Sequence, residues 1–102
     1  MNESIRVDIH PSALVEFNEA DDWYEQKDQQ TAARFRETIY KTLERIGRVP
    51  LEFPVLEEPI RRCVVRGFPY VILFQQAGSR PLVVAIAHTR QKPGYWKKRI
   101  ND

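Results

Sequence analysis

Between Glu58 and Asp102 this chain has no acidic residue at all. The absence excludes a surface of mixed sign over that stretch, because its cations find no carboxylate nearby in sequence. A single cysteine, Cys63, excludes an internal disulfide, and with only two histidines beside it a structural zinc site has no ligand set. Cys63 alternates with Val65, so a small buried strand residue is the expectation. No apolar run approaches the ~20 residues of a membrane span. The N-terminus, Met1 to Ile5, includes Glu3 and lacks a cationic region leading into an apolar stretch, so no secretory signal is expected. A cytoplasmic location, without membrane association, is the economical reading. No repeat, low-complexity tract or second domain is visible.

What is present is a segregation of charge. Residues 1–58 hold 13 acidic and 7 basic residues, residues 59–102 one acidic and nine basic, within a whole-chain net charge of only +2. Same-sign charges repel unless a polyanion or an acidic partner neutralises them. The basic half ends in His88-Thr89-Arg90-Gln91-Lys92-Pro93-Gly94-Tyr95-Trp96-Lys97-Lys98-Arg99, where aromatics sit among cations. At 102 residues, 42% hydrophobic and 29% charged, one domain over 1–102 with one core is expected.

Ile5, Val7 and Ile9 alternate with polar residues as a short first strand does. Pro11-Ser12 opens a helix with Ser12 as the expected N-cap. Ala13, Phe17, Ala20 and Tyr24 form its apolar stripe, flanked by Leu14 and Trp23, and an acidic face including Glu16, Glu19 and Asp22 is expected in solvent. Asp28 caps a second helix whose stripe is Ala32, Phe35, Ile39, Leu43 and Ile46, with Gly47 and Pro50 ending it. Pro50, Pro54 and Pro59 make 49–59 a loop. Three strands follow, Ile60–Arg66, Tyr70–Gln76 and Leu82–His88, and their short turns demand antiparallel neighbours. The last is apolar on both faces and should be central. The expected architecture is α+β, in the order β-α-α-β-β-β, with a helical hairpin packed on an antiparallel-rich sheet.

That order, with Arg66-Gly67-Phe68-Pro69-Tyr70-Val71-Ile72-Leu73-Phe74 and Val84-Ala85-Ile86-Ala87-His88-Thr89-Arg90 leading to Tyr95-Trp96-Lys97-Lys98-Arg99, resembles the RelE/ParE toxin superfamily of bacterial type II toxin–antitoxin systems. The resemblance covers essentially the whole chain, and its closing pattern looks more like the ParE branch. It implies a growth-inhibiting, plasmid-stabilising toxin held in a hetero-oligomer by a cognate antitoxin, whose acidic or amphipathic segment wraps it. RelE-like members cut mRNA in the ribosome. ParE-like members inhibit DNA gyrase and have no known catalytic chemistry. Neither a cofactor nor a metal is implied.

Individual residues admit competing readings. Arg66 stands where RelE-like nucleases keep an arginine to stabilise a scissile phosphate, or it is a strand-end arginine in solvent. His88 could move protons, or fix the last turn through a backbone hydrogen bond. Tyr95 could be a nuclease base or acid, or stack on bases. Trp96 could do the latter too, although docking onto the core is preferred. Arg62, Arg66, Arg90, Lys92, Tyr95, Trp96, Lys97, Lys98 and Arg99 form the candidate surface for a target or antitoxin. His10, at a strand–helix junction, is read as structural. The leading function is gyrase inhibition by binding. The alternatives are a ribosome-dependent mRNA endonuclease using Arg66, His88 and Tyr95, and a non-catalytic nucleic-acid-binding module.

Overall fold

Proline has a fixed φ and no N–H, so it suits the first helical position and pushes its predecessor into extended backbone. Pro11 applies that rule at the first junction. The computed structural model describes residues 5–100. In it α1 (Pro11–Lys27) follows β1 (Asp8–Ile9), and His10, at φ −61° and ψ 139°, lies between them. The Ser12 N–H donates to His10 Nδ1 at 3.0 Å, so His10 is the cap and Ser12 lies inside the helix, contrary to the expectation. A proline at the first helical position moves the capping site one residue upstream of itself.

The Asp28 carboxylate accepts from the Gln30 N–H at 3.2 Å and from the Thr31 hydroxyl at 2.7 Å, which starts α2 (Gln29–Arg48). All five residues of its expected stripe are buried. Gly47 does not end the helix, which runs to Arg48. Its role is close approach: a Cβ there would meet the Arg6 backbone N and Cβ at 3.1 Å. The helices pack as a hairpin through Phe35, whose ring lies 5.8 Å from Phe17, 4.9 Å from Tyr24 and 5.2 Å from Phe68.

A 3₁₀ turn (Pro50–Glu52) leads to β2 (Val55–Glu57), β3 (Ile60–Val65), β4 (Tyr70–Ala77), β5 (Arg80–His88) and a one-turn helix, α3 (Lys97–Ile100). The sheet order is β1-β5-β4-β3-β2, parallel only between β1 and β5. The strand β2 corrects the loop expected over 49–59. Pro54 and Pro59 lie outside it, leaving three residues free to pair with β3 at the sheet edge, where proline-flanked strands are tolerated.

A β-bulge sets which residues share a face. Leu73 pairs with Ala85 and Phe74 with Val83, so Val84 is the extra residue. Consequently Val84 and Ala85 both point away from the hairpin, with Ile60, Leu73 and Trp96. Cys63, Val65, Ile72, Phe74, Val83 and Ile86 pack under the helices. The hairpin covers one face of the sheet, and the C-terminal turn covers part of the other.

Candidate functional site

The parallel partner of β5 is short. Asp8 and Ile9 pair with Leu82 and Val83, and the His10 N–H donates to the Val83 carbonyl at 2.8 Å before the chain turns into α1. Further along β5, the backbone groups flanking Ala85 need other partners, since buried N–H and C=O groups are rarely left unpaired. Side chains supply them. Arg99 Nη1 donates to the Val84 carbonyl at 2.9 Å, and Glu16 Oε1 accepts from the Ile86 N–H at 2.9 Å.

Glu16 and Arg99 also bind each other in bidentate fashion, at 3.0 and 2.8 Å, with side chains only 16% and 17% exposed. The Tyr95 hydroxyl donates to Glu16 Oε2 at 2.7 Å, and the Arg99 guanidinium lies 5.0 Å from the Tyr95 ring centroid. Burial, and then the Glu16 carboxylate, push the Tyr95 phenol well above the usual tyrosine range. The hydrogen bonds that Arg99 donates to Glu16 likewise raise the Arg99 guanidinium. This clamp fastens the C-terminal turn across the sheet edge, and Trp96, 4% exposed, docks against Ile60, Leu73, Val84 and Ala85.

Glu16 is the residue that sequence reasoning missed. The expected solvated acidic face includes it, yet it stands three residues after Ala13 and four before Ala20. That spacing places it on the buried stripe, and a carboxylate there requires partners.

The remaining surface residues sort by position. Arg62, Lys92, Tyr95 and Trp96 line a groove of about 170 Å³ on the face away from the hairpin, with Leu56, Val71 and His88. Arg66 lines no part of it. It follows Val65, which pairs with Tyr70, itself opposite His88. The Thr89 N–H donates to the Pro69 carbonyl at 2.9 Å, so Arg66 and Arg90 belong to the same end of the sheet. His88 Nδ1 accepts from the Arg90 N–H at 3.0 Å, and its ring stands edge-on to Tyr70 at 5.1 Å. Lys97 reaches Glu57 at 3.1 Å and Arg80 lies 3.8 Å from Asp8, both exposed pairs of small energetic weight. Arg61 donates to the Phe53 carbonyl at 2.6 Å. Arg62, Arg66, Arg90, Lys92 and Lys98 are exposed and form no ion pair among the described residues. Cys63 is buried beneath the hairpin, and that burial raises its thiol.

The described residues include no helix long and apolar enough to cross a membrane. No curated protein matches the chain. A family model does match it, over residues 7–93, and that family is described as the ParE toxin of the type II toxin–antitoxin system parDE.

Proposed function

The chain belongs to the ParE toxin family of type II toxin–antitoxin systems, and we propose that it arrests bacterial growth in the cytoplasm by binding DNA gyrase. Membership implies a cognate antitoxin as partner. In this reading the antitoxin masks the surface that meets the target, and the pair stabilises the plasmid or locus that carries it. The observation that carries the proposal is that Arg62, Arg66, Arg90, Lys92 and Lys98 of the C-terminal half are exposed without carboxylate partners among the described residues, two of them, Arg62 and Lys92, lining a groove on the open sheet face. Such a surface favours an acidic counterpart and accelerates encounter with it. The contact residues would be Arg62, Arg66, Arg90, Lys92 and Lys98, with Tyr95 and Trp96 shaping the groove, while Lys97 is paired with Glu57.

Two features support binding over mRNA cleavage. The Tyr95 hydroxyl is committed to Glu16 and its phenol is raised, which makes it a poor base near neutrality. His88 uses one ring nitrogen on the Arg90 amide, and Arg66 does not share the groove with these two groups.

The test is a gyrase supercoiling assay with purified protein and with an Arg62→Glu, Lys92→Glu double variant. Inhibition by the parent, lost in a variant that melts at the same temperature, is the expected result. Supercoiling untouched at high toxin concentration sinks the gyrase reading. Codon-end cuts in translated mRNA would replace it with the nuclease alternative.

A further inference from the structure

The outer flank of α1 carries a half-exposed indole, which meets Tyr24 edge-on at 5.1 Å between ring centroids. Trp23 is 55% exposed, although Tyr24 beside it is 9% exposed and packs into the core. Between this flank and the far end of β4 and β5 lies a cleft of about 510 Å³, within the size range of ligand sites. Trp23, Tyr24, Tyr70 and His88 contribute aromatic surface to it, and Glu16 and Glu19 contribute carboxylates. Among the described residues no lysine or arginine lines it, although the chain holds 16 of them. Glu16 is already neutralised by Arg99. Glu19 is exposed and forms no ion pair among the described residues, so one negative charge stands uncompensated at the cleft.

We propose that this cleft receives an arginine side chain presented by a protein partner, stacked on Trp23 and paired with Glu19. Aromatic faces attract cations through the ring quadrupole, and a planar guanidinium can stack on a ring while its N–H fork meets a carboxylate. The Trp23 ring already accepts a cation from its own helix, with Lys27 Nζ at 5.2 Å from the centroid. The sign of the cleft opposes that of the groove on the open face. One partner carrying both acidic and basic residues could therefore engage the two regions in a single register, and wrong pairings would be repelled. The inference rests on the cleft alone and stands whether or not gyrase is the target.

Its test uses the full chain, isotope-labelled for magnetic resonance, titrated with acetyl-Gly-Arg-Gly-amide and with the same peptide carrying citrulline, the neutral isostere. With arginine the Trp23 indole N–H and the Tyr70 ring should shift saturably, with Kd on the order of 1 mM for so small a probe. The citrulline peptide should bind at least about fivefold more weakly, and Glu19→Gln should bring the arginine peptide to the same level. Trp23→Ala should abolish the Tyr70 response, and both substituted side chains are exposed, so the fold survives. Equal binding of the two peptides overturns the proposal. So do shifts confined to Trp96 and the groove residues, or the absence of any saturable change.

Discussion

Removing Glu16 should destabilise this protein more than removing any other carboxylate. Four hydrogen bonds to its two oxygens lie between 2.7 and 3.0 Å, from the Ile86 amide, the Tyr95 hydroxyl and both terminal nitrogens of Arg99. Breaking a fully buried ion pair by deleting one partner costs ~3–5 kcal/mol, because the other charge is stranded. The 16% and 17% exposure of these side chains lets water relieve part of that cost. The unpaired Ile86 N–H adds to it. Glu16→Ala should therefore lose about 2–4 kcal/mol, from a total that is ~5–15 kcal/mol for ordinary domains. At this chain length that corresponds to a fall in Tm of roughly 10–25 °C. Glu16→Gln should lose less, since its amide oxygen still accepts from Ile86. Urea unfolding of Glu16→Ala, Arg99→Ala and the double variant separates the shared term, expected at ~1–3 kcal/mol. A loss under about 0.5 kcal/mol for Glu16→Ala, or two losses that merely add, would refute the clamp.

Tyr24, Tyr70 and Tyr95 are all raised, chiefly by burial, so the folded chain keeps these protons after the unfolded chain has lost them. Stability should consequently fall as pH climbs past about 10. An ultraviolet titration should show delayed tyrosinate formation that sharpens on unfolding, and Tyr95→Phe should flatten the alkaline decline. Gly47→Ala gains helix propensity but drives a methyl toward Arg6 at 3.1 Å; denaturant midpoints should show a net loss of about 0.5–1 kcal/mol. The Cys63 thiol, raised by burial, should resist iodoacetamide in the native protein and react fully in denaturant, as mass spectrometry would show.

The second helix was legible residue by residue, because the 3.6-residue period of Ala32, Phe35, Ile39, Leu43 and Ile46 and the Asp28 cap both encode local geometry. The three long strands were legible for the same reason, but β5, expected to be central, lies second from the edge with only the two-residue β1 beyond it, and β4 takes the middle place. Short elements were not. The three residues of β2 form a strand because β3 lies alongside, and the four of α3 settle because Trp96 and Arg99 anchor them. The cap moved from Ser12 to His10 because two local preferences compete there, and the fixed φ of Pro11 decides between them. At the candidate site, charge segregation pointed to the basic half but could not separate Arg99 from Lys98. Only the fold brings Glu16 within reach of one of them, across 83 positions of sequence. Resemblance to the family was legible throughout, although the family match ends at residue 93, before the clamp residues Tyr95 and Arg99.

The two rims of the sheet differ in what they can accept. Along Ala85, a guanidinium and a carboxylate occupy the positions where an incoming chain would have to bond. The two-residue rung before them is short and flanked by the charges of Asp8 and Arg80. Among the described residues, the β2 rim offers a backbone whose side chains all face water. Runaway stacking requires adhesion at both sides. A molecule sealed on one side can take on a single extra strand and then stops growing.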